Sequence, residues 1–333
     1  MKKVLISIIV VLLVLTTVFA FACKKTEEDT TTYTIVSPDG APALAMVGYA
    51  DGTTGDGVYK VSPSIVSSTL IKAEAIKADF AIVPANLAAT LYNLGEEYNM
   101  IAAITNGNMF LVSNQDGHVG LAELKGHVLY SIGQNSIPAF ILLRLLDLAG
   151  IECVESETPI DGKVAIQYVA DGQALIAKFA TSTDRVFGNL AEPAVSTALL
   201  ANNKGYVIGD LQAMWQVATA SEIKGFAQAV MIAKKSICEN KPEVVESVLN
   251  TIKSNVSDVI TNPEDARAKI LQMYPETSLK KPLTSEIVDN CNIHVYVASE
   301  NVDYILTTLN AAYAINPKSV GGSIPARDSG FYY

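Results

Sequence analysis

From Tyr33 onward, short β-branched apolar runs alternate with longer segments whose apolar residues recur at helical spacing. Thr34–Val36 is followed by the turn chemistry of Ser37-Pro38-Asp39-Gly40, and Pro42 suits a first helical position. The same strand–polar loop–helix unit recurs. Val58–Val61 is broken by Ser62-Pro63-Ser64 before a helix over Ile65–Ala75. Phe80–Val83 is broken by Pro84-Ala85-Asn86, with Asn86 placed to cap a helix over Leu87–Leu94. Tyr98–Ile104 ends at Asn106-Gly107-Asn108 and is followed at once by the apolar run Met109–Val112.

A polar stretch, Ser113–Gly120, marks a crossing, after which the plan restarts. Val128–Tyr130 leads through Gly133-Gln134-Asn135-Ser136 into Ile137–Ala149, a helix apolar on nearly every face and therefore expected between layers. Val164–Val169, Ala170-Asp171-Gly172 and a helix over Gln173–Ala180 form the next unit. Arg185–Gly188 and the loop Asn189–Glu192 open a helix over Ala194–Ala201, and Asp210 caps another through Trp215 after the strand Tyr206–Ile208. Phe226–Ala233 reads as a strand returning to the first unit. Helices follow over Pro242–Ile260, from Asn262-Pro263 to Met273, and over Ser299–Ala314; the first has apolar positions 245, 248, 249, 252, 256, 259 and 260 on one side. The pattern predicts an α/β fold of two lobes, each a mostly parallel sheet flanked by helices. Residues 33–112 plus 225–333 form the first lobe and residues 113–224 the second. Ligands of such sheets bind beyond the carboxyl ends of the strands, so a cleft between the lobes is the expected site.

Composition narrows the function. Half of the 333 residues are hydrophobic and 17% are charged, which excludes a disordered chain. The net charge of −10 and the lack of any Lys/Arg block exclude nucleic acid as a partner. Lys2-Lys3, the apolar stretch Val4–Ala22 and the small-residue site Ala20-Phe21-Ala22 read as a signal peptide over residues 1–22. Cys23 stands where a bacterial lipoprotein carries its lipid, and residues 23–32 then form a polar tether; ordinary secretion and an uncleaved anchor are the competing readings. Cys153, Cys238 and Cys291 are widely spaced, leaving one disulfide or three free thiols open. His118, His127 and His294 stand apart, so no metal and no cofactor is expected, and Trp215 and Tyr92 read as core. The strand-end loops offer Asp39, Gly40, Ala41, Ser62, Ser64, Asn86, Asn106, Asn108, Gln134, Asn135, Ser136, Asp171, Asn189 and Glu192 as ligand contacts. They hold hydrogen-bonding groups but no nucleophile–base pair. Asp39, Asp171 and Glu192 favour a neutral or cationic ligand, since a buried carboxylate beside an anion costs several kcal/mol.

Ser37-Pro38-Asp39-Gly40-Ala41-Pro42-Ala43-Leu44-Ala45, Phe80–Asn86, Tyr168-Val169-Ala170-Asp171-Gly172, Glu192-Pro193-Ala194, Asp210-Leu211-Gln212 with Trp215, and Asn316–Ser319 with Phe331–Tyr333 carry a family resemblance. The chain resembles the solute-binding lipoproteins of ABC importers, in the group that takes nitrate, sulfonates, taurine and thiamine precursors. The resemblance implies a two-lobe periplasmic-binding fold, a monomer tethered to the membrane by lipid, closure on one small molecule, and delivery to a permease driven by an ATPase. A sensor-type receptor is a second reading. A pyrimidine-synthase-like enzyme on the same fold is a third, but it would need a reactive His and a Cys-rich cluster that this sequence does not contain.

Overall fold

The computed structural model describes residues 31–50, 53–54, 57–65, 68–117, 120–196 and 205–333. The signal-peptide and lipidation readings, Cys23 included, lie outside them, as do His118, the end of the helix expected from Ala194, and the side chains of Ser62 and Ser64. In chain order the strands are β1 (Thr32–Pro38), β2 (Thr53–Thr54), β3 (Gly57–Ile65), β4 (Phe80–Pro84), β5 (Tyr98–Thr105), β6 (Met109–Ser113), β7 (Val128–Ser131), β8 (Cys153–Glu155), β9 (Val164–Tyr168), β10 (Phe187–Ala191), β11 (Tyr206–Asp210), β12 (Ala229–Lys234) and β13 (Ile293–Val297). The helices are α1 (Ala41–Leu44), α2 (Ser68–Ala75), α3 (Ala85–Asn93), α4 (Ile137–Leu148), α5 (Gly172–Thr181), α6 (Leu211–Thr219), α7 (Lys235–Asn240), α8 (Pro242–Thr261), α9 (Pro263–Met273), α10 (Ser285–Asn290) and α11 (Val302–Ile315). Among the described residues no helix is long and apolar enough to cross a membrane.

Two mixed sheets organise these elements, in the orders β13-β5-β12-β4-β1-β3-β2 and β11-β6-β10-β7-β9-β8. The returning strand β12 inserts between β4 and β5 and runs antiparallel to both. Helix α8 buries Val245, Val248, Leu249, Ile252 and Val259 on one side, as its spacing predicts, and leaves Val256 and Ile260 half-buried. Burying each such side chain stabilises the fold by about 1.5–3 kcal/mol. That side covers one face of the first sheet, over Ile35, Phe80, Ile82 and Met231. The core on the other face is continuous with the second sheet's helices, because α11 packs against both α3 and α4. Ile141 and Leu145 of α4 share that core with Ile305 and Leu309 of α11.

The structure corrects several boundaries. Ser62-Pro63-Ser64 is no loop: β3 continues through it, paired with β1 at Val36↔Ser62 and Pro38↔Ile65 across a register shift. Pro63 lies at that register shift, between the paired positions Ser62 and Ile65 and beyond the Gly57 and Val58 that pair with β2, the kind of edge or bulge position where a strand accepts proline. Asn189 and Ala191 also lie in a strand, since β10 runs two residues later than Arg185–Gly188 to pair with both β6 and β7. Asn86 is not a cap but lies inside the first turn of α3, whose N-cap position is Pro84. Strands β8 and β13 and helices α7 and α10 were not expected. Cys153, Cys238 and Cys291 are free thiols, with Cys238 and Cys291 buried.

Candidate functional site

Strand direction fixes where the two sheets meet. β1, β3 and β4 are parallel, and β5 shares their direction because β12 opposes both β4 and β5. Their carboxyl ends, Pro38, Ile65, Pro84 and Thr105, therefore lie on one edge. In the second sheet β7, β8, β9 and β10 are parallel and end together at Ser131, Glu155, Tyr168 and Ala191. β6 opposes β10, so it starts at that edge. The chain joins Thr105 to Met109 through Asn106, Gly107 and Asn108 alone, and returns to β12 at Ala229, opposite Thr105. Both crossovers thus run along one seam between two carboxyl edges.

Asn106 and Asn108 hold this seam together. Asn106 donates from Nδ2 to His294 O (3.1 Å) and Ile104 O (3.3 Å), and its Oδ1 accepts from the Tyr304 hydroxyl at 3.1 Å. Its carbonyl accepts from Asn292 Nδ2 (2.6 Å) and Phe226 N (3.2 Å). Asn108 donates to the Glu192 carbonyl (2.6 Å) and accepts from Gln228 Nε2 (2.8 Å), so it ties both crossovers to β10. The side-chain groups of both asparagines are thus paired within the seam. The backbone here is also tight: Gly225 has φ of 106°, and a Cβ on it would sit 1.9 Å from Asn106 O.

The remaining predicted residues divide. Asp39 is bound within its own half, accepting from Thr277 Oγ1 (2.5 Å) and Ser278 N (2.6 Å). Asp171 is exposed and caps α5 through Ala174 N at 2.9 Å. Gln134 is exposed and reaches Glu155 at 3.4 Å. Gly40 takes φ of 87° to turn the chain into α1, which begins at the buried Ala41. Ser62 and Ser64 lie in β3 just before its carboxyl end.

The structure brings another group together across the seam. Asn86 is 7% exposed and donates from Nδ2 to Asn135 O (3.4 Å), on the second-sheet side, and to Ser319 O (3.2 Å). The loop of Asn135 belongs to the turn after β7, where Ser136 Oγ donates to Gly133 O at 2.6 Å. Ser131, at the end of β7, accepts from Asn189 Nδ2 at 3.1 Å. A cavity of about 350 Å³ opens beside Asn86, Asn135 and Ser136, and Lys72, Thr90 and Lys318 also line it. These last residues were missed: Lys72 and Thr90 sit on helices whose inward faces the spacing does not mark, and Lys318 lies in a C-terminal turn. A larger groove, about 850 Å³, runs along α8 and α9 past Glu243, Glu246 and Asp258, on helix surface rather than at strand ends.

Glu192 follows β10 and is 3% exposed. Burial pushes its carboxyl pKa above the ordinary 4.5, against the hydrogen bonds from Ser196 that favour the ion, and the charge of Glu286 adds to the rise. Ser196 donates to it from Oγ at 2.5 Å and from N at 3.1 Å.

No protein-family model matches the chain, and no curated protein matches it by sequence. Solved structures do match. An ABC transporter protein from Parabacteroides distasonis superposes with a TM-score of 0.72 at 20% identity, covering 91% of this chain and 99% of that one. The periplasmic aliphatic sulphonate binding protein SsuA of Escherichia coli gives 0.64 at 13% identity, over 91% and 92%. A Candida albicans gene product described as having the generic periplasmic binding protein fold gives 0.53 at 11% identity, over 90% and 93%. The chain therefore has the periplasmic-binding-protein fold: two α/β halves whose strand ends face a shared cleft. At these identities the likeness is one of fold.

Proposed function

We propose that the chain is a solute-binding protein of an ABC importer, exported and anchored to the membrane through Cys23, which captures a small polar organic solute between its halves and delivers it to a permease–ATPase pair. It acts without catalysis of its own, as a monomer, on residues 33–112 plus 225–333 closing against 113–224. The observation that carries this reading is the seam itself: carboxyl edges from two sheets meet where two short crossovers pass between them, the place where open α/β sheets take a ligand. The sulphonate-binding and ABC transporter structures of the same fold support it. Asn86, Asn135, Ser136, Asn189 and Glu192 form the proposed contact set. Gly40, Ala41, Ser62 and Ser64 stand at strand ends of the same edge.

The test is reconstitution. Full-length protein, with its cognate permease and ATPase, should stimulate ATP hydrolysis in proteoliposomes only when its solute is present. A Cys23→Ser form should lose most of that stimulation at equal total concentration, because tethering raises the effective concentration at the permease. Hydrolysis indifferent to the protein and solute would defeat the reading; equal activity of the Cys23→Ser form would defeat the anchor.

A further inference from the structure

Among the described residues the buried side-chain atoms without a hydrogen-bond partner are Asn86 Oδ1, Asn189 Oδ1 and Thr105 Oγ1. Two belong to the proposed contact set, Asn86 on α3 and Asn189 on β10; the third ends β5 at the seam. The orientation of the Asn86 amide is fixed by what surrounds its nitrogen. Asn86 Nδ2 faces two backbone carbonyls, Asn135 O and Ser319 O, which can only accept. Turning this amide over would set oxygen against oxygen, so what Asn86 has left is an acceptor. Asn189 instead meets Ser131 Oγ at 3.1 Å, a hydroxyl that can rotate to donate or to accept, so its free atom serves either role.

The serines around the seam show the same bias. Ser37, fully buried at the end of β1, donates to Pro38 O at 3.1 Å, and Ser136 donates to Gly133 O. Each hydroxyl proton is used within its own turn, leaving lone pairs. Glu192 contributes a further acceptor from the second half. A buried acceptor left without a donor is costly, and Asn86 Oδ1, beside the cavity lined by Asn135 and Ser136, marks where a donor belongs.

We infer that the solute donates a hydrogen bond from an N–H or O–H group of its own to Asn86 Oδ1. The class is an amine, amide, amino-heterocycle or polyol, not an acceptor-only anion such as a sulfonate or nitrate. This rests on the solute-binding reading above. It sets no limit on net charge, because Lys72 and Lys318 line the cavity beside Asn86 and could meet an anionic group elsewhere on the same solute.

Full-length protein in detergent is melted with cytosine, agmatine, methanesulfonate and nitrate, and with the small-molecule fraction of yeast extract, from which any retained solute is identified by mass spectrometry. The expected result is a rise in melting temperature with a donor-bearing solute, and at least tenfold weaker binding of that solute by Asn86→Leu. Should the variant not fold, wild-type protein is compared on the solute and its fully N- or O-methylated form, which has no N–H or O–H left to donate. Stabilisation by methanesulfonate or nitrate alone overturns the donor inference while leaving solute binding intact. Unchanged affinity in the variant, or for the methylated solute, overturns it as well. Stabilisation by none of these removes the solute-binding reading and the inference with it.

Discussion

Among the described residues no ion pair balances the buried carboxyl of Glu192: Ser196 donates to it, Asn108 donates to its backbone carbonyl, and the charge of Glu286 acts on it from the first half. Its folded pKa lies above the ordinary 4.5, so the folded state holds the proton more tightly than the unfolded chain. The contribution to stability is then full below 4.5 and is lost as pH rises through the folded value. Glu192→Gln keeps one of the two oxygens that accept from Ser196 and removes the titration. Its melting temperature relative to wild type should increase between pH 4 and pH 8; a difference that stays flat with pH would show that the carboxyl is not strained by burial. The sequence marks Glu192 as a candidate through Glu-Pro-Ala, but not its burial, which depends on α10 and the residues around Cys291, about a hundred positions away. Asn106 and Asn108 show the reverse. Their type and position beside a strand end are legible, yet the partners that occupy them, Tyr304, His294 and Gln228, arrive from the distant C-terminal half of the chain.

Helices and parallel strands follow from local pattern where one element makes its own case. Helix α8 is legible because its period separates a core side from a wet side, and β4 because Phe80-Ala81-Ile82-Val83 is apolar throughout, as a central strand must be. β13 is not legible in the same way: Ile293-His294-Val295-Tyr296-Val297 becomes a strand by pairing with β5, some 190 positions earlier, and register shifts there leave no clean alternation. β12 is found early by sequence and late by structure, since Phe226 and Ala227 are occupied by the crossover. At this scale Asp79, between α2 and β4, joins three strands: it accepts from Thr34 N and Thr34 Oγ1 (both 2.9 Å) on β1 and from Lys234 Nζ (2.8 Å) on β12. Burial alone would raise its pKa, but Lys234 and the Thr34 donors together hold it below the ordinary 3.8. A depressed pKa stabilises the fold above the unfolded value and is lost as pH falls through the folded one. Asp79→Asn should cost about 1.5–3 kcal/mol in urea unfolding at pH 7, the range for hydrogen bonds to a charged group. The gap to wild type should shrink below the unfolded value of 3.8. A pH-independent gap would assign the loss to packing instead.

For the whole molecule, two sheets do not mean two independently stable parts. Multidomain chains commonly unfold in steps, but here the largest core runs from the first sheet through α3, α11 and α4 to the second, so neither half can lose its structure without exposing the other's apolar surface. The crossovers reinforce this coupling. Gly225 sits in the left-handed region against Asn106 O, whose own hydrogen bonds fasten it to β13 and α11. Any side chain at 225 must therefore disturb both crossovers at once. Trp215, the single tryptophan, lies buried on α6 and reports on the second half, whereas far-UV circular dichroism averages over both. The two signals should melt together in the wild type. Gly225→Ala should lower both midpoints in step, at a cost of at least ~2 kcal/mol from backbone strain and the contact with Asn106. Separate transitions, with Trp215 released first, would mean that the shared core does not couple the halves and that closure is governed by the crossovers alone.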